Sequence, residues 1–166
     1  MKFIETFFLG IFIAIISLVT QVFASVVFEL FFRLDLDFRY TQDKSMLYIV
    51  LVILLASAIE EILRYMIIKK RISHKTSDNI ATSIILGFFL GLGFATFEIA
   101  LISFSVDIMD YSIIIELIPI LLIHILLSIF LLLTVKKTGQ ISKDAVYIVI
   151  AIILHTISNT IIFLSQ

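Results

Sequence analysis

The chain of 166 residues contains no cysteine, one proline and five glycines, and only 15% of it is charged. The lack of cysteine removes disulfides, thiolate metal sites and a cysteine nucleophile together. So little proline and glycine suits a bundle of long helices. A net charge of −1 provides no basic field, so no nucleic-acid partner is expected. Several chemistries lack their residues as well. There is no His-Glu-x-x-His, the helix-borne zinc protease pattern. There is no Gly-x-Ser-x-Gly. No aspartate lies deep in any apolar run, which argues against a paired-aspartate protease.

What the chain has in excess is apolar sequence. It is 61% hydrophobic with a mean hydropathy of +1.21, where a soluble domain is roughly half apolar. The expected fold is all-α: one polytopic membrane helix bundle over 1–166, with about five transmembrane helices. A span needs roughly 20 mostly apolar residues. Five segments qualify, at about Phe3–Phe32, Met46–Ile68, Asn79–Phe104, Tyr111–Val135 and Ala145–Leu164. Short connections favour antiparallel neighbours. Val22-Phe23-Ala24 resembles a signal cleavage site. The charged region before it is only Lys2, and the apolar run continues to Phe32, so a retained helix is expected.

The lysine bias orients the bundle. Lys2, Lys69, Lys70, Arg71, Lys75, Lys136, Lys137 and Lys143 fall on one side. On the other side, Arg33, Arg39 and Lys44 are diluted by Asp35, Asp37 and Asp43, and Asp107, Asp110 and Glu116 follow. The expectation is a multi-pass protein of the cell membrane with a cytoplasmic amino terminus and an external carboxyl terminus.

The polar residues inside the spans draw the eye, because ionised groups at membrane depth are costly and rarely face lipid. The second span carries Ala58-Ile59-Glu60-Glu61-Ile62-Leu63-Arg64-Tyr65. Glu60 and Arg64 are four apart and can pair. Two adjacent carboxylates in low dielectric cannot both ionise cheaply. One is expected to be held by Arg64 and the other to exchange protons near neutral pH, as a general acid or base must. In the third span, Gly87 and Gly91 form a small-xxx-small pair that admits a close neighbour. Glu98 lies on about the same face as Gly91. Pro119 and His124 lie in the fourth span, and His155 and Asn159 share a face of the fifth. Ser17, Gln21, Ser25 and Glu29 share a face of the first, which is read as inward packing. His74 sits in a basic loop and is read as solvated. By helical rise, Glu60, His124 and His155 lie roughly 13–18 Å from the lysine-rich ends, but Glu98 lies about 28 Å in. A projecting, tilted or bent third helix would account for that difference.

These motifs resemble the PrsW-like branch of the glutamate-type intramembrane proteases, the superfamily of CAAX prenyl endopeptidases and bacteriocin-processing membrane proteins. The Glu-Glu pair with a following basic residue matches Glu60, Glu61 and Arg64, with Arg where Lys is more usual. Gly-x-Gly-Phe-Ala-x-x-Glu matches Gly91-Leu92-Gly93-Phe94-Ala95-Thr96-Phe97-Glu98. A His following a proline matches Pro119 and His124, and His-x-x-x-Asn matches His155 and Asn159. The resemblance spans about Ala58 to Thr160, and a protease-like core of about 46–166 is expected. It implies that Glu60 or Glu61 activates a water, that Glu98 and His124 position it, and that His155 and Asn159 stabilise an oxyanion. Arg64 would orient the glutamates. Metal dependence stays open: Glu98, His124 and His155 are the candidate ligands for a zinc ion with a position left for water, and the same groups work without one. The implied partner is a membrane-protein substrate that enters from the bilayer.

Two other classes share this polar core. A catalytically inactive relative would use it to pack helices or bind a partner, and an ion or proton carrier would use it as a relay. The inverted repeat of many carriers is not seen. Alanine at Glu60, Glu61, His124 or His155 separates them, through loss of cleavage, of assembly or of flux. The acidic stretch yields its own prediction: neutralising Asp107, Asp110 and Glu116 together should reduce cleavage of substrates with basic residues beside the membrane. Unchanged cleavage of every tested substrate would remove that role.

Overall fold

The computed structural model of the chain describes residues 3–35, 46–72, 79–105, 111–138 and 141–165, and all but Asn79 of these are helical. The helices are α1 (Phe3–Asp35), α2 (Met46–Ile67, continued by a π-helical turn over Ile68–Ile72), α3 (Ile80–Ser105), α4 (Tyr111–Thr138) and α5 (Ile141–Ser165). His74, Asp107 and Asp110 lie outside the described residues, as do the side chains of Glu29 and Glu116.

Among the described residues, four segments are long and apolar enough to cross a membrane: Phe3–Val27, Ile80–Phe104, Leu117–Val135 and Asp144–Leu164. Five were expected. The 22 residues of α2 measure about 33 Å at ~1.5 Å per residue, but Glu60, Glu61 and Arg64 set this helix apart in composition. Large apolar side chains are exposed all round the bundle, among them Phe8, Phe23, Ile84, Leu126 and Ile153, while Glu61, Arg64, His124 and His155 are buried. Apolar surface outside and ionisable groups inside suit a protein whose solvent is lipid.

The helices pack in a ring in the order α1, α3, α4, α5, α2, closing on α1, with α2 also touching α4 across the middle. Sequence neighbours are thus not all spatial neighbours: among the described residues the backbones of α2 and α3 do not pack together. The glycines explain why. A Cβ on Gly87 would lie 2.7 Å from the Ile129 Cα, and one on Gly91 2.5 Å from the Ile125 Cα. The small-residue face therefore receives α4. On the opposite side, a Cβ on Gly93 would collide with the Phe7 carbonyl oxygen, and one on Gly10 with that of Leu90. These glycines let α1 cross α3 at backbone contact. Both faces of α3 are used, so α2 is placed on the far side of the ring.

The helices run further at the lysine-rich end than hydropathy predicts. α2 continues through its π turn to Ile72, α4 reaches Thr138, and α5 starts at Ile141. The last two place His124 and His155 each about 21 Å from that end, at ~1.5 Å per residue, nearer the level of Glu98. Asn79 Oδ1 accepts from the Ala81 N–H at 2.9 Å and so caps α3. At this end Lys69 bridges α2 and α5. Its ammonium donates to the Tyr65 hydroxyl at 2.7 Å and to buried Asp144 at 3.0 Å, and Tyr65 also donates to Asp144 at 2.9 Å. These bonds, that with Tyr65 foremost, raise Lys69 above its ordinary pKa.

Gly93→Val should cost about 1–3 kcal/mol or more through overpacking, seen as a lower melting temperature in detergent. Val19→Ala, on the exposed face of α1, should leave the transition near that of the wild type. An unchanged transition in Gly93→Val would contradict the close α1–α3 crossing.

Candidate active site

The polar residues of α2 divide between two directions. Glu60 faces α1, where Gln21 Nε2 donates to its Oε1 at 2.8 Å. Glu61 faces the centre. Its Oε1 accepts from Arg64 Nη1 at 2.5 Å and meets His155 Nδ1 at 2.7 Å. Arg64 therefore pairs with Glu61, three residues before it, and not with Glu60 as the four-residue spacing suggested. A competing donor accounts for this: Gln21 engages Glu60 from α1, and only Glu61 lies against the guanidinium.

Arg64 is fully buried and makes three kinds of contact. Besides Glu61, its Nη2 lies 2.9 Å from His124 Nδ1, and its guanidinium carbon sits 4.5 Å from the centre of the Phe94 ring, a cation–π arrangement. Phe94 also packs on the His124 ring with centroids 4.5 Å apart. The second phenylalanine-bearing motif thus supplies a platform for both the arginine and the histidine.

The hydrogen bonds assign the histidine tautomers. Arginine can only donate, so His124 Nδ1 accepts and its Nε2–H donates to Glu98. Glu98 thereby joins the centre despite its greater depth along α3, and its side chain is 30% exposed. For His155, Nδ1–H donates to Glu61, which leaves the Nε2 lone pair available. The two rings stand edge to face, 5.0 Å apart. Asn159 is half-buried one turn beyond His155 on α5.

Four atoms at this centre are buried and have no hydrogen-bond partner: Glu60 Oε2, Glu61 Oε2, Arg64 Nε and His155 Nε2. Of these, Glu60 Oε2 and His155 Nε2 lie 3.7 Å apart and face each other. Each belongs to a side chain anchored through its other polar atom, Glu60 by Gln21 and His155 by Glu61. A ligand histidine held by a carboxylate is the usual support of a metal site. One ligand atom each from Glu60, His124 and His155 falls within 4.8 Å of the others, a group able to hold a metal ion. Glu60 and His155 fit that role as they stand. His124 is engaged at both nitrogens and would join on release of Glu98 or Arg64. Glu98, the one carboxylate of the expected ligand set, lies on His124.

Glu61, Arg64, Glu98, His124 and His155 are thus brought together by hydrogen bonds, Glu60 lies 3.7 Å from His155, and Asn159 is on the adjoining turn. Gln21 was read as packing and proves to be the partner of Glu60. Its signal was a polar side chain on a face of an otherwise apolar span. Phe94 is a defined position of the second motif, but nothing in sequence separates a ring under an arginine from one among leucines.

No curated protein and no solved structure matches the chain. A family model does match over residues 2–166, and its description is PrsW family intramembrane metalloprotease. The matched range includes α1 with its Gln21 as well as the four motif-bearing helices. The chain belongs to the PrsW family of intramembrane metalloproteases.

Proposed function

We propose that this protein hydrolyses a peptide bond in a membrane-associated protein, at the point where Glu60 and His155 converge. The observation that carries the reading is the facing pair of orphaned atoms, Glu60 Oε2 and His155 Nε2, each fixed from behind. Such preorganised groups in low dielectric do not have to reorient during reaction. Within the proposal, the family's kinship with the CAAX-type and bacteriocin-processing proteins rests on the four motifs. The cytoplasmic amino terminus rests on the lysine bias.

Glu60, His155 and His124 would hold the metal ion. A zinc ion suits this donor set, and when bound it would acidify a water and polarise the scissile carbonyl. The other roles fall to the chain itself. Arg64 neutralises Glu61, and Glu61 keeps His155 in the tautomer with a free Nε2. Glu98 keeps part of its side chain uncovered and, once it leaves His124, takes the proton from the attacking water and passes it to the leaving amine. The Asn159 side-chain N–H donates to the oxyanion.

A second reading is favoured by His124, whose nitrogens are both engaged. In it no metal takes part, Glu60 removes the proton from water and returns it to the leaving amine, and His155, in this reading protonated at Nε2 as well as Nδ1, donates with Asn159 to the oxyanion.

Metal content separates the two. The detergent-purified wild type should carry close to one zinc per chain, and a His124→Ala/His155→Ala double variant should lose it. Absence of metal from carefully handled wild type would discard the first reading and leave the second. Glu60→Gln should lower cleavage of reconstituted single-span substrates by at least about a thousandfold, and Asn159→Ala by about 100–1000-fold, the usual cost of one oxyanion donor. Both variants should keep the wild-type elution volume. Wild-type cleavage by Glu60→Gln would end the proteolytic assignment to this centre, and loss of assembly without any cleavage by the wild type would favour a scaffold.

A further inference from the structure

A groove of about 810 Å³ runs between α1 and α2 on the outside of the bundle. Its walls include Leu18 and Val22 of α1 and Leu51, Val52 and Leu55 of α2, with Gln21 and Ser25 as polar members. Gln21 is the same residue that donates to Glu60. The groove is therefore continuous with the candidate active site through one side chain. Along α2 it extends from Tyr48 to Ile59, about 16 Å at ~1.5 Å per residue. That length takes roughly five residues of extended chain at ~3.3 Å each.

A peptide bond cannot be attacked while its carbonyl is tied into a helix, so the substrate must unwind locally. Unwound backbone is tolerated at membrane depth only where protein or trapped water satisfies its polar groups. The groove offers such groups on an otherwise apolar wall. Ser25 Oγ donates to the Val22 carbonyl of its own helix at 2.8 Å and keeps lone pairs for an incoming N–H. Gln21 commits its amide nitrogen to Glu60 and keeps a carbonyl oxygen that can accept. The groove is also where the ring is most easily entered: α1 holds to α3 by backbone contact through Gly10 and Gly93 but packs less closely on α2.

We propose that the α1–α2 groove is the port through which an apolar, locally unwound segment of a membrane protein reaches Glu60 from the bilayer, with Gln21 as its inner wall. The proposal rests on the proteolytic reading for its purpose but not for its test. Because the chain has no cysteine, single thiols can be placed without background. Ser25→Cys and Val52→Cys put one on each wall of the groove, and Ile153→Cys puts one on the exposed face of α5. Leu51→Cys replaces either groove variant that fails to purify as a single species. Each would carry a benzophenone and be reconstituted with a biotinylated leucine–alanine single-span peptide interrupted by a central glycine–proline pair.

Crosslinking to the peptide should be about tenfold stronger from both groove positions than from α5, the ratio given by ~1.4 kcal/mol of preference. It should fall when excess unlabelled peptide is added. Equal yields at all positions, or lipid adducts alone in the groove, would overturn the port. The readout needs no cleavage. Enriched crosslinking without any product would retain the port and count against proteolysis, whereas cleavage with uniform crosslinking would do the reverse.

Discussion

The buried pair of Arg64 and Glu61 is the contact on which the centre of this molecule depends. A guanidinium with no exposure to solvent lies in an apolar bundle, where an isolated charge would be prohibitive. It is tolerated because a carboxylate, an imidazole nitrogen and an aromatic face surround it. Removing one member of such a pair costs about 3–5 kcal/mol, because the other is left uncompensated. The pair also transmits order. Arg64 sets the tautomer of His124, Glu61 sets that of His155, and the free nitrogen of His155 is thereby aimed at Glu60. A single cation in the middle of three carboxylates determines which atoms remain open for chemistry.

The packing that surrounds this centre follows from small residues rather than from hydrophobicity. In lipid, one apolar face is as well solvated as another, so helix pairing depends on how closely backbones can approach. α3 carries close-approach glycines on both sides and becomes the element between α1 and α4. α2 bears polar residues at its centre and has its place set by them. It meets α5 through Glu61 and His155 in the middle and through Tyr65, Lys69 and Asp144 at the end. Polar contacts thus join one side of the ring and backbone contacts the other.

The first helix gains a part that its composition does not advertise. It is apolar on its exposed face, with Phe8, Phe12, Val19 and Phe23 turned outward. Through Gly10 it is fastened to α3, and through Gln21 it reaches the carboxylate at the centre. The same helix forms one wall of the groove that opens to the bilayer. A tight joint on one side and a looser one on the other leaves a cleft leading to the buried polar groups.

The sequence alone determined the membrane class, the five helices to within a few residues at most ends, and nearly all of the polar centre. Membrane insertion makes these legible, because length and hydropathy are what the bilayer reads, and an ionisable residue in a span is too costly to be incidental. It also determined that Gly87 and Gly91 would take a close neighbour. Only the tertiary structure decided the order of the ring, since hydropathy does not say which apolar face meets which. It decided that Arg64 pairs with Glu61, because the competing donor for Glu60 comes from Gln21, 39 residues earlier in the chain. It brought Glu98 to His124, which rise along separate helices had placed at different depths. Those outcomes depend on contacts between distant segments, and spacing along a single helix carries no information about them.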